Sequence, residues 1–296
     1  MLNKYIDFAI QNSATDIHLC GGKPPSFRIR GEIFRPNFPS CNTTEIELIS
    51  KSNFPIVSSH NLRFTTFTAD GRLAIAIRLL HKTPPSTADL DLPAALVSMS
   101  GNPSGLIIIC GKTGAGKSTS MASLLSHINA TSSRVIVTLE DPIEYKLNDC
   151  KSVIYQREVG VDVESIAQGI NSALRQDPDV IAIGEMRSNE SIEMTLRAAE
   201  TGHLVLSTLH AASAVGAISR ITEVFTGDKQ NFIRALLAES LLGILYQRMR
   251  HDNEGSKANF ELMVVTPAIR NLIRENKIHM IENVIRTSSS IGMRSL

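Results

Sequence analysis

The residues with the clearest chemical potential run from Gly111 to Thr119: Gly111, Lys112, Thr113, Gly114, Ala115, Gly116, Lys117, Ser118 and Thr119 fit the spacing G-x-x-x-x-G-K-[ST]. Glycines let the backbone curl until its N–H groups converge on phosphate oxygens, and the start of the following helix adds positive potential. In such a loop Lys117 reaches the β- and γ-phosphates of a nucleotide, and Ser118 ligates Mg²⁺. Three carboxylates, Glu140, Asp141 and Glu144, follow the apolar run RVIVTL. They either join the Mg²⁺ shell and polarise water or form a solvated acidic turn. Glu185 follows a second apolar run, VIAIG, where a carboxylate can activate water. Gly184 stands where many phosphate-loop proteins place a metal-binding aspartate, so metal ligation must lean on Ser118 and on water-mediated Glu140 and Glu185. His203 and His210 bracket the run LVLST and are candidates for sensing a γ-phosphate.

These groups need a scaffold that gathers strand ends. From Leu106 onward short apolar runs (LIIIC, RVIVTL, VIAIG, LVLST) alternate with amphipathic stretches, beginning at Lys117, near Ile166 and near Ile192. That alternation predicts a mostly parallel sheet covered by helices, with catalytic groups at the strands' C-terminal ends. Ahead of it, Leu2, Tyr5, Ile6 and Ala9 share a helical face, ATDIHL and SFRIRGEIF alternate as strands, and LRFTTF and RLAIAIRLL read as a hairpin turned at Ala-Asp-Gly. Thr44 and Glu47 have the spacing of a capping box. The expected organisation is a small α+β domain at 1–82, a proline-bearing linker at 83–102 (Pro84, Pro85, Pro93), and an α/β nucleotide-binding domain with a helical C-terminal part at 103–296.

Composition narrows the class. A chain of 296 residues with 43% apolar and 20% charged residues is ordinary for a globular protein, and a net charge of +1 gives no general attraction to nucleic acid. No apolar run approaches the roughly 20 residues that span a bilayer. The four cysteines, Cys20, Cys41, Cys110 and Cys150, form no CxxC pair and read as reduced thiols of the cytoplasm.

Four segments in order, GKTGAGKST, TLEDPIEY, DPDVIAIGEMR and TGHLVLSTLH, resemble the Walker A, Asp box, Walker B and His box of the type II and type IV secretion ATPases. ATDIHL, with Asp16 and His18, resembles the opening region of that superfamily, and AIRNLIRE at 268–275 resembles the signature of its type IV pilus retraction branch. The resemblance implies a PAS-like N-terminal domain and a RecA-like ATPase domain assembled as a homo-hexamer. It also implies ATP and Mg²⁺ as ligands, Glu185 as general base, and arginines of the N-terminal domain reaching the phosphates, with Arg63, Arg72 and Arg78 the matching candidates. The implied output is pilin disassembly against an inner-membrane pilus platform protein, from a cytoplasmic, peripheral position and without direct contact to nucleic acid. Two alternatives are a related secretion or conjugative pilus ATPase and a RecA-like nucleic-acid motor; a third is a regulatory subunit that binds ATP without hydrolysing it. Ser188 departs from the superfamily's usual aspartate after GEMR. Within AIRNLIRE, the apolar side (Ile269, Leu272, Ile273) is expected to anchor a helix and the charged side (Arg270, Arg274, Glu275) to be free for transmission or partner contact.

Overall fold

A computed structural model describes residues 2–51, 60–252, 255–287 and 292–293. The chain divides into two compact units, Met1–Thr83 with His251–Ser256, and Pro84–Arg250 with Lys257–Leu296.

In the first unit, helix α1 (Leu2–Gln11) is followed by strands β1 (Ala14–Cys20), β2 (Ser26–Ile29) and β3 (Glu32–Phe34), helix α2 (Thr43–Lys51), and strands β4 (His60–Ala69) and β5 (Arg72–His81). The described strands form one sheet in the order β3-β2-β1-β5-β4. Its neighbouring strands run antiparallel. The core is where the alternation puts it: Leu2, Tyr5, Ile6 and Ala9 of α1 pack with Ile17, Leu19, Phe27, Ile75 and Ile77. Asp70 and Gly71, both at positive φ, make the two-residue turn between β4 and β5, the geometry that suits the twist of a hairpin. The expected capping box is not formed. Helix α2 begins two residues earlier than that box would set it, and the Thr44 amide donates to Asn42 Oδ1 at 2.9 Å, so Asn42 is the capping side chain.

The second unit opens with helix α3 (Ala94–Met99) and strand β6 (Gly105–Cys110), then helix α4 (Lys117–Thr131), strands β7 (Val135–Glu140) and β8 (Val153–Glu158), helix α5 (Ile166–Ala173), strand β9 (Val180–Ile183), helix α6 (Asn189–Glu200) and strand β10 (Leu204–Leu209). Helices α7 (Ala214–Glu223) and α8 (Gly227–Ser240), strands β11 (Leu241–Asp252) and β12 (Gly255–Val264), and helices α9 (Pro267–Arg274) and α10 (Ile281–Thr287) complete it. The sheet order is β12-β11-β6-β10-β9-β7-β8, with β6 through β11 in parallel register. Strands β6, β9 and β10 are buried along their whole length, which is why they read as unbroken apolar runs. Helices α3 and α4 cover one face, and α5 to α10 the other.

One expectation changes here. Residues 84–102 are not a separate spacer, since they belong to the second unit, and Leu92 and Leu96 sit in its core. The C-terminal part carries strands β11 and β12 beside its helices, and they extend the sheet beyond β6. Among the described residues, no helix is long and apolar enough to cross a membrane.

Candidate functional site

Parallel strands β6, β7, β9 and β10 deliver their C-terminal ends to one edge of the sheet, and the loops leaving that edge carry the candidate residues. The loop after β6 curls from Gly111 into α4. A β-carbon on Gly111 would collide with the backbone carbonyl of Gln247, so only glycine fits there, and Gly116 begins the helix at φ +83°. Lys117 folds back over this loop: Nζ donates to the carbonyls of Gly111 and Lys112, both at 3.1 Å. Burial holds its ammonium below the usual lysine range, with nearby Glu185 opposing the shift.

A connected charge network leaves Lys117. Its Nζ stands 3.4 Å from His210 Nδ1, whose Nε2 lies 3.0 Å from Glu185 Oε1. Facing an ammonium, Nδ1 must accept; the imidazole proton therefore sits on Nε2 and donates to Glu185. The other carboxylate oxygen, Glu185 Oε2, accepts from Arg187 Nε at 2.7 Å, and Arg187 Nη1 reaches Asp141 Oδ2 at 3.0 Å. Only 16% of the Glu185 side chain is exposed. Asp141, Arg187, Glu185, His210 and Lys117 thus form one continuous line across the loops after β7, β9, β10 and β6. The carboxylates beside Arg187 hold its guanidinium above its usual range.

Glu140 ends β7 in a different environment. Its Oε1 accepts from Thr138 Oγ1 at 2.6 Å and Gln156 Nε2 at 3.1 Å, and burial raises its carboxyl pKa against those hydrogen bonds. Gln156 also holds the Tyr145 carbonyl, and the Tyr145 hydroxyl meets Thr119 Oγ1 at 3.1 Å, tying the acidic turn to the first turn of α4. Glu144 lies near enough to act electrostatically on Lys117 and Glu140. Gly184 has a local reason: a β-carbon there would lie 3.2 Å from the Leu139 carbonyl, between β9 and β7. Ser188 keeps a structural role despite its departure, accepting from the Ser191 amide at 3.1 Å as the N-cap of α6.

Residues 58–295 match the type II/IV secretion system protein family. The chain belongs to this family. Among curated relatives, the type IV pilus retraction ATPase PilT of Pseudomonas aeruginosa is 33% identical over 100% of the chain and 91% of the relative. The uncharacterized protein YggR of Escherichia coli is 36% identical over 99% and 94%. A crystal structure of the pilus retraction motor PilT with bound ADP superposes with a TM-score of 0.82 at 36% identity, covering 99% of this chain and 94% of that one. The fold is that of this family, an N-terminal domain followed by a RecA-like ATPase domain.

Within this secretion-family fold, the two histidines part company. His210 is at the phosphate-loop end of β10, whereas His203 precedes the strand, at its opposite end. Six strand residues separate them by about 20 Å. His203 Nδ1 lies 3.0 Å from the Ala198 carbonyl and 3.3 Å from Thr201 Oγ1, contacts that close the end of α6. The expectation that both histidines face one γ-phosphate within a subunit is corrected: a strand that brackets itself with two histidines sends them to opposite edges.

The three arginines lie in the N-terminal unit. Arg63 and Arg78 are direct cross-strand partners on β4 and β5, and Arg78 in turn faces Asp16 on β1, with Nε 2.9 Å from Oδ1. Directly opposed residues share a sheet face. Arg72 sits away from this row at the hairpin turn, where Nη1 donates to the Gly21 carbonyl at 3.3 Å.

The charged side of α9 is also corrected. Arg270 is not free: its Nη1 donates to the carbonyls of Ala238 and Glu239 at the C-terminus of α8. Arg274 pairs with the Glu239 carboxylate at 3.0 Å. Ile269 and Ile273 are fully buried, as the spacing predicts, and Thr266 caps the helix.

Sequence reasoning missed Arg187 as the link between Asp141 and Glu185, and missed Gln247 beneath the phosphate loop. Arg187 lies two residues from Glu185, so the short spacing in GEMR was an available signal. Gln247 had none, because the pairing of β11 with β6 is invisible locally.

Proposed function

We propose that this protein is an ATP-hydrolysing motor that works as a homo-hexamer to drive type IV pilus retraction by pilin disassembly. The observation that carries the chemistry is the continuous line from Lys117 through His210, Glu185 and Arg187 to Asp141. Phosphate oxygens compete with the Gly111 and Lys112 carbonyls for Lys117 Nζ, and they draw it from His210 Nδ1. The imidazole is then released to turn towards a terminal phosphate, and Glu185 loses one of the two donors that occupy its oxygens. Arg187 keeps the carboxylate oriented, so its released oxygen can accept a proton from the attacking water.

The Ser118 hydroxyl in the first turn of α4 would hold Mg²⁺ directly, and the Glu140 and Glu185 carboxylates at neighbouring strand ends would reach it through the waters that this ion retains. Bound with ATP, the ion neutralises charge on the β- and γ-phosphates. Gly114, Thr113, Ala115 and Thr119 complete the loop around the phosphates, while Glu144 adds to the field on Lys117. Arg63 and Arg78 are offered to a neighbouring subunit's nucleotide, a role supported by their exposure and shared sheet face. The partner of the ring is a pilus platform protein at the cytoplasmic face of the inner membrane, and the association with that membrane is peripheral.

The test has three measurements: ATP turnover against oligomer size, ATP turnover and binding in Glu185→Gln, and pilus retraction in cells lacking the gene. Turnover should rise with ring assembly, Glu185→Gln should bind ATP while hydrolysing it at least ~100-fold more slowly, and retraction should stop without the gene. Unchanged turnover in Glu185→Gln would remove the proposed base. Normal retraction in the deletion strain would remove the biological assignment.

A further inference from the structure

Gln247 is an amide placed where an apolar side chain would be expected. It lies on β11 one residue beyond the pairing of Tyr246 with Cys110, and is 1% exposed. Its Nε2 donates to the Ala115 carbonyl, while Oε1 is buried and without a hydrogen-bond partner among the described residues. Leaving half an amide unsatisfied is costly, and a leucine of similar size would carry no such cost. The retained polarity therefore calls for a specific use.

From this geometry we infer that Gln247 is a positioning residue for phosphate binding: it pins the Ala115–Gly116 peptide so that the Gly116 amide faces the nucleotide. A trans peptide is planar, and its C=O and N–H point in opposite directions. With the Ala115 oxygen drawn down to Gln247, the Gly116 N–H must point up, away from β11 and into the concavity of the loop. Gly116 lies directly over the same side chain, since a β-carbon there would be 3.2 Å from Gln247 Nε2. Lys117 draws the Gly111 and Lys112 carbonyls towards its own Nζ from the open side, whereas Gln247 acts from beneath. Its hold on Ala115 does not require Lys117 and persists when phosphate takes the lysine. Gly111 closes the arrangement, packed so tightly on the Gln247 backbone carbonyl that a side chain is excluded. The same contact fixes the amide's orientation, because the opposite one would put Oε1 against the Ala115 oxygen.

The inference rests on the nucleotide reading above, and the experiment separates the two. Binding of a fluorescent ATP analogue with Mg²⁺ is measured for the full chain, for Gln247→Leu and for Gln247→Glu, beside the thermal shift that ADP produces. Gln247→Leu should weaken analogue binding by about 5–10-fold, the size of one buried hydrogen bond, and should shrink the ADP-induced shift. Gln247→Glu supplies a signature that packing alone does not. Its protonated carboxyl can donate to Ala115 O and should bind nearly as tightly as wild type at low pH. Its ionised form faces that carbonyl with a negative charge, so affinity relative to wild type should fall as pH rises. Should the leucine variant fail to fold, the pH-dependent ratio of the glutamate variant decides alone. Binding within twofold of wild type in every folded variant, with no pH-dependent ratio, overturns the role of Gln247. A wild-type chain that binds no analogue overturns both that role and the motor reading.

Discussion

Replacing Arg270 with alanine separates a structural anchor from an output surface. Arg270 Nη1 donates to two carbonyls at the end of α8, and the side chain is 29% exposed. Hydrogen bonds to a charged donor contribute about 1.5–3 kcal/mol each when well buried, and a cation at a helix C-terminus adds about 0.3–1 kcal/mol. Partial exposure lets water replace part of this, so the net loss is about 1–2 kcal/mol. At about 2–4 °C per kcal/mol for a unit of roughly 200 residues, Arg270→Ala should melt about 2–8 °C below wild type. Arg274 makes the control. It is 50% exposed, its partner Glu239 is 65% exposed, and such surface pairs contribute about 0–1 kcal/mol. Arg274→Ala should therefore melt within about 4 °C of wild type, and closer to it than Arg270→Ala does, while impairing retraction in cells if α9 is an output element. Differential scanning calorimetry on both variants is the assay. Equal melting of Arg270→Ala and wild type, or an equal loss in both variants, refutes the capping argument.

Lys117→Ala should abolish detectable nucleotide binding in a fluorescence titration, since Lys117 Nζ is the cation held on the loop's own Gly111 and Lys112 carbonyls, while Arg187 is taken up by Glu185 and Asp141; retained tight binding would count against the site. His210→Ala should slow hydrolysis at least ~10-fold, whereas His203→Ala should change the nucleotide affinity of an isolated subunit less than twofold, and equal defects would reject the separation along β10. Glu140 gives a pH test. Because burial raises its carboxyl pKa, the folded state holds that proton more tightly than the unfolded state, and its contribution to stability falls as pH climbs through the window from the ordinary carboxylate range to the raised value. The Tm of Glu140→Gln minus that of wild type should therefore grow as pH increases across that window, and a difference independent of pH would refute the assignment.

The central strands were legible because full burial on both faces leaves an unbroken apolar record, as in LIIIC and LVLST. The phosphate loop was legible because its glycines answer local constraints on φ and close approach. Strand β8 was not. As a sheet edge it leaves Val153 and Tyr155 exposed, so VIYQRE lacks the apolar run that marked its neighbours. The beginning of β11 was obscured for the opposite reason: LLAESLLGIL is continuously apolar-rich across a helix-to-strand change, and only pairing with β6 decides where the helix stops. At the site, sequence order brought together Lys117, Glu185 and His210 correctly, because each follows a parallel strand. It misplaced His203, since a motif reports neighbours along the chain and a strand separates its two ends by its full length.

The crowding at Gly184 also constrains what that position can hold. With the Leu139 carbonyl 3.2 Å from where a β-carbon would stand, the metal-binding aspartate found in other phosphate-loop proteins would be accommodated here only if the neighbouring backbone of β7 gave by a few tenths of an ångström. Metal binding at this strand end is thereby left to Ser118 and to carboxylates acting through water, and a search that uses that aspartate as its hallmark would pass over a site built in this way.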